Sequence, residues 1–355
     1  MQHFFIYTIT ILLFIFNGSL SAYSQADSCP PKYGWFIPVR FAKPLVSEME
    51  APLTKVSEGF GRAHEEYAPG SPYADSYIPY LNVSLGAFLP VWSKQLRNNW
   101  AIGIDFPIHF HLWLDLKNES APVLNTDYRF AVGEIKLLKT FNNHKFLHNF
   151  SLRIAPYCHE STHIGDELTI KRAQANFPLT RVNVSYEYSE FAICLNDPNG
   201  TRLDNHALKF GLMLRIPTGS SWFKIYPNEG DSIYNHKMRN ITEFYGEYEW
   251  QRSSGWATNK HIINVLSAEI RNRAKYKYPT IGWDEETHMW YVSNPKHSRA
   301  WCFNLYYGWK FMPKSNWFYN SVGFYLNGYY GIVPFGQFRN TGDYSYLGFS
   351  IVIEQ

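Results

Sequence analysis

Trp301-Cys302-Phe303-Asn304-Leu305-Tyr306-Tyr307-Gly308-Trp309-Lys310 is the stretch that decides the fold. Successive side chains of a β-strand point to opposite faces. Trp301, Phe303, Leu305, Tyr307 and Trp309 therefore share one face, against Cys302, Asn304, Gly308 and Lys310 on the other. A soluble sandwich would also alternate, but its charged face would meet water and its apolar face a second sheet. Here the apolar face is aromatic and the other mixes glycine, amide and charge, which fits a barrel wall with lipid outside and a polar lumen inside.

The same period of two runs outward in both directions. Upstream, Leu81, Val83 and Leu85 alternate with Asn82, Ser84 and Gly86, and Tyr128, Phe130 and Val132 with Asp127, Arg129 and Ala131. Val182, Val184, Tyr186 and Tyr188 oppose Arg181, Asn183, Ser185 and Glu187, and Phe244, Tyr248 and Trp250 oppose three glutamates. Downstream, Leu347, Phe349, Ile351 and Ile353 oppose Tyr346, Gly348 and Ser350. The expected fold is all-β, a transmembrane antiparallel β-barrel over residues 79–355 with about 12 strands, within a range of about 10 to 14. Long connections near residues 218–238 and 274–299 belong on the extracellular side.

Composition agrees. Tyr and Phe number 26 each and Trp 12, an aromatic share of 18% with negative mean hydropathy. A net charge of +3 gives no reason to expect nucleic acid. Past the first stretch there is no apolar run of about 20 residues, so no helix is expected to span a bilayer. Residues 1–26 read as a signal peptide: Phe4 to Phe16 is nearly all apolar, and Ser24-Gln25-Ala26 suits cleavage before Asp27. Export through it places the chain in the cell outer membrane, with membrane lipid as its surroundings. Residues 27–78, broken by prolines and carrying a loose helical pattern from Leu45 to Tyr67, are expected as an N-terminal extension, a periplasmic cap or a plug. Cys29, Cys158, Cys194 and Cys302 match no zinc spacing; disulfides and free thiols both remain open.

Chemistry concentrates in Cys158-His159-Glu160-Ser161-Thr162-His163-Ile164-Gly165-Asp166-Glu167. Phe150, Leu152 and Ile154 alternate with Ser151, Arg153 and Ala155 just before it. Extending that parity puts His159, Ser161 and His163 on the lumen face with Arg153, unless a bulge at Pro156 reverses it. His159-Glu160-Ser161-Thr162-His163 satisfies the zinc-protease string H-E-x-x-H. On a strand, however, its two histidines stand about 13 Å apart, too far for one ion. No metal or cofactor is expected, although a divalent ion such as calcium is compatible with a lumen network.

The His159-Glu160-Ser161 triplet resembles the His-x-Ser arrangement of outer-membrane phospholipase A and the lipid A 3-O-deacylases. That resemblance implies Ser161 as nucleophile, His159 as its base, and an orienting Asp, Glu or Asn from among Asp166, Glu167, Asn183 and Glu187, with Glu187 preferred. The longer string His159-x-Ser161-x-His163-x-Gly165-Asp166-Glu167, followed by Arg181-x-Asn183-x-Ser185-x-Glu187, resembles an uncharacterised bacterial family catalogued as domain of unknown function 1207. Leu124-Asn125-Thr126-Asp127-Tyr128 is similar to its pattern as well. The family implies an exported barrel-like protein with no established activity.

The leading expectation is non-enzymatic. Asp127, Arg129, Arg153, His159, Ser161, His163, Asp166, Glu167, Arg181, Asn183 and Glu187 would form a lumen network that binds or passes small solutes, or braces the wall. The alternative is ester hydrolysis of membrane lipid by Ser161, His159 and Glu187.

Overall fold

A computed structural model of the chain describes residues 33–39, 41–49, 51–63, 77–117, 121, 123–141, 146–165, 181–197, 205–216, 222–226, 234–237, 242–253, 262–276, 281–284, 286, 289–292, 297–312, 321–334 and 344–354. Among them, twelve strands form the wall. They are β1 (Thr54–Ala63), β2 (Tyr77–Gln95), β3 (Trp100–Asp115), β4 in two runs (Val123–Val132 and Glu134–Thr140), β5 (Asn149–Ile164) and β6 (Arg181–Leu195). The second half comprises β7 (Asn205–Ile216), β8 (Thr242–Ser253), β9 (Ile262–Tyr276), β10 (His297–Phe311), β11 (Ser321–Gly331) and β12 (Tyr344–Glu354).

Each wall strand pairs antiparallel with its sequence neighbours, and β12 pairs with β1 through registers such as Tyr346↔Gly61 and Ser350↔Ser57. The sheet is thereby a closed transmembrane barrel, which leaves no unpaired edge to lipid. The four longest connections, 64–76, 165–180, 217–241 and 277–296, all follow odd-numbered strands and leave the same end. A short hairpin, Trp222–Tyr226 with Tyr234–Lys237, pairs with the start of β6 and extends the wall sheet, and a second, Ile281–Asp284 with Met289–Val292, forms a separate two-stranded sheet.

The alternation sorts side chains as hydrocarbon demands. Phe303, Leu305, Tyr307 and Trp309 of β10 are exposed on the outside, whereas Glu243, Glu247 and Glu249 of β8 and Arg271 and Arg273 of β9 are buried inside. So large an exposed apolar surface is at home in a bilayer.

The wall begins at Thr54, upstream of the expected residue 79. Outward Glu58 and Arg62 obscure the period of β1, which nevertheless closes the ring. The loose helical pattern from Leu45 gives no helix among the described residues.

Residues 41–53 run inside the barrel instead. Leu45, Val46, Ser47 and Glu48 are buried there, and wall side chains satisfy their backbone. Val46 N donates to Glu249 Oε2 (3.0 Å), Ser47 N to Ser267 Oγ (3.1 Å) and Met49 N to Glu269 Oε2 (2.8 Å). Lys55 Nζ donates to the carbonyls of Val46 and Glu48 at 2.8 and 3.0 Å. Where this segment passes β2, a Cβ on Gly86 would stand 2.0 Å from the Pro52 carbonyl carbon, so only glycine fits.

Two irregularities bend the wall around the chemical stretch. Gly133 interrupts β4 with φ of 68°, the left-handed region that glycine reaches without strain. In β5 the register slips by one between Ala155 and Cys158, so Pro156 and Tyr157 form a bulge opposite Ser189. Proline has no N–H to give a ladder, and Ser189 Oγ instead donates to the Pro156 carbonyl at 2.6 Å.

Candidate active site

The bulge inverts the faces of β5. Before it, Ser151, Arg153 and Ala155 point inward; after it, Cys158, Glu160 and Thr162 do so, each buried. His159, Ser161 and His163 therefore face outward, at the long-loop end of β5, beyond the apolar run Phe150, Leu152 and Ile154.

Neighbouring strands complete the patch. On β4, Phe130 is opposite His159 and Tyr128 is opposite Ser161. The His159 ring lies 5.4 Å from that of Phe130, and His163 meets Tyr128 edge-on at 5.7 Å. On β6, Glu187 is opposite His159 and Ser185 is opposite Ser161. Glu187 Oε1 stands 3.4 Å from His159 Nδ1, with the glutamate side chain only 7% exposed although it is on the outer face. Among the described residues no hydrogen bond joins His159 to Ser161.

Such groups are costly on a lipid face. Here they have a chemical arrangement. A carboxylate at Nδ1 holds the proton on that nitrogen and leaves Nε2 as the acceptor. Ser161, two positions along the same face, supplies a hydroxyl on the imidazole's side of the wall.

The inner face carries a separate network. Arg153 reaches Glu48 Oε1 (2.7 Å), Glu190 Oε1 (2.8 Å) and Tyr245 Oη (3.1 Å). Arg129 pairs with Glu190 and lies 5.1 Å from the centre of the Tyr188 ring. Asp127 accepts from Asn125 Nδ2 at 2.8 Å and stands 3.5 Å from His111 Nδ1. Glu48 also pairs with Lys209. Burial alone would raise the Glu48 carboxyl, but the charges of Arg153 and Lys209 overcome it and hold the group below the usual carboxylate range. Above the plug lies a cavity lined by residues including Lys55, Asp127, Arg129 and Glu160.

The expected network is thus divided. Asp127, Arg129 and Arg153 are inside. His159, Ser161, His163 and Glu187 are outside, a correction forced by the one-residue bulge on β5 and by the facing of β6. Arg181 and Asn183 lie in β6, paired by backbone with Tyr226 and Lys224; their side chains fall outside what the structure describes. Asp166 and Glu167 lie outside the described residues. Among those residues no group of three or more His, Cys, Asp or Glu could hold a metal ion. Cys158, Cys194 and Cys302 are buried free thiols, so none pairs with another; Cys29 lies outside the described residues.

On β6 the apolar and polar faces were expected the other way round. Tyr186 and Tyr188 are buried inside because a tyrosine carries a polar handle: Tyr186 Oη donates to Glu160 Oε2 at 2.6 Å. Sequence reasoning also missed Glu48, Glu190, Lys209 and Tyr245. Glu190 shares parity with Tyr186 and Tyr188, and that was its only signal.

The strands carrying both faces, β2 to β7, coincide with a known family. Residues 82–214 match the family model DUF1207, described as a protein of unknown function. The matched segment contains His159, Ser161, His163 and Glu187 as well as Asp127, Arg129 and Arg153. No curated protein matches the chain. Among solved structures, the chain is similar to the translocator domain of autotransporter NalP from Neisseria meningitidis, at 7% identity and a TM-score of 0.34 over 85% of this chain and 87% of that one. It is also similar to LpxR from Salmonella typhimurium, at 11% identity and 0.32 over 85% and 100%. A third likeness, to the TodX deltaS2S3 mutant monoaromatic hydrocarbon channel, has 8% identity and 0.27 over 85% and 88%.

Proposed function

We propose that this chain is an outer-membrane acyl-ester hydrolase acting on membrane lipid from the outer face of its wall. The observation that carries this reading is the 3.4 Å approach of Glu187 Oε1 to His159 Nδ1 on the lipid side, with Ser161 on the same face. Glu187 orients the ring. Ser161 Oγ attacks the acyl carbonyl carbon while its proton passes to His159 Nε2. The ester C–O bond breaks and the leaving alcohol takes that proton. Water then attacks the acyl-serine, giving its proton to His159, and the fatty acid departs as Oγ is reprotonated.

The test is fatty-acid release by the purified protein in mixed micelles with phosphatidylethanolamine, or separately with lipid A, read by mass spectrometry. Release in one arm, lowered about 10³-fold or more by Ser161→Ala, is expected. Unchanged lipid in both arms would sink the proposal.

For the lumen we propose bracing in place of conduction. Segment 41–53 crosses it, anchored by Glu48 to Arg153 and Lys209. Planar bilayers holding the intact protein should show no ohmic current; a steady open-channel conductance would overturn this.

A further inference from the structure

We infer that the cavity between the plug and the long-loop end is a binding site for a small neutral polyhydroxylated solute of the monosaccharide kind. This does not rest on the hydrolase reading, because it uses the inner face of the wall. The cavity, about 80 Å³ measured to the centres of water-sized groups, has room for several waters and so for a ligand of that size, and Met49 of the plug is part of its lining.

The lining carries Lys55 and Arg129 against Asp127 and Glu160, so its formal charges balance. Each of the four is also hydrogen-bonded or ion-paired within the barrel: Lys55 to two plug carbonyls, Arg129 to Glu190, Asp127 from Asn125 and Glu160 from Tyr186. A charged ligand would bring an uncompensated charge into this interior, and an apolar one would strip its polar groups of water. A neutral ligand rich in hydroxyls does neither. Two lining amides favour it further. Asn82 and Asn304 are more than nine-tenths buried, and among the described residues neither Oδ1 has a hydrogen-bond partner. A hydroxyl donor of the ligand can supply one after a small side-chain adjustment. Tyr306 and Tyr346 also line the cavity and offer aromatic surface for the C–H face of a sugar ring.

Saturation-transfer NMR on the intact protein in lauryldimethylamine oxide, a detergent without a sugar headgroup, tests this with glucose, galactose and N-acetylglucosamine. Inorganic phosphate and calcium chloride serve as charged competitors. The expected result is saturable transfer to at least one sugar, unaffected by either ion. Asn82→Leu, checked for folded mobility on unheated gels, should weaken it about tenfold, as loss of one buried hydrogen bond does. Tyr346→Leu, which leaves the amides in place, should weaken it too and serves if Asn82→Leu does not fold. No transfer to any sugar, displacement by phosphate or calcium, or sugar binding unchanged in the folded variants would overturn the inference.

Discussion

Glu48 and Arg153 stand 105 positions apart in the chain and meet at 2.7 Å inside the barrel. The first belongs to the inner segment, the second to the wall. Removing one partner of a buried ion pair strands the other, which costs about 3 to 5 kcal/mol. Glu48→Gln leaves Arg153 with Glu190 but weakens the hold of the wall on residues 41–53. Amide exchange of that segment should accelerate while the wall strands stay protected, read by hydrogen-exchange mass spectrometry. Equal protection in the variant would mean that the backbone contacts to Glu249 and Glu269 suffice.

Acid tests the same pair. The Glu48 carboxyl is held below its unfolded value, so its contribution is fully present above the ordinary carboxylate pKa and is lost only as pH falls through the lower folded value. The exchange difference between the parent protein and Glu48→Gln should therefore persist through about pH 4, where exposed carboxylates are half protonated, and shrink at lower pH. Loss of that difference already near pH 5 would contradict this sign.

The bulge can be removed. Deleting Tyr157 makes Pro156 the only residue opposite Ser189 and keeps Cys158 opposite Tyr188, so His159 and Ser161 should stay on the outer face of a strand without the bulge. A spin label at Ser161→Cys should be accessible to oxygen dissolved in lipid in both the parent protein and the deletion variant. A label shielded from lipid in the parent protein would disprove the inverted facing.

Glu187→Gln keeps the shape of the orienting group and removes its charge. If Glu187 positions His159, kcat should fall about 10²-fold or more with KM nearly unchanged, because the imidazolium formed during the reaction loses its partner. A change in KM alone would assign Glu187 to lipid binding.

The three described cysteines offer a simple check of packing. Cys158, Cys194 and Cys302 are buried as free thiols, so maleimide should leave them unmodified in folded micelles and label all three after denaturation. Labelling of Cys158 in the folded protein would mean that β5 after the bulge faces the other way.

The barrel was legible from the residues alone because lipid outside and polar groups inside impose one rule on every strand. That rule recurs from Leu81 to Ile353, β6 excepted, where Tyr186 and Tyr188 face the lumen. The existence of a polar cluster around His159 was legible for the same reason, since local spacing brings residues i and i+2 to one face. Which face was a tertiary matter: a single extra residue at Pro156–Tyr157 exchanges inside and outside, and alternation read along the strand cannot register a slip against Ser189. The plug was hidden for a different reason. Lys55 apart, the carboxylates and cations that hold Leu45 to Met49 lie 105 to 220 positions downstream, on β5, β7, β8 and β9, and only closure of the barrel brings them around it.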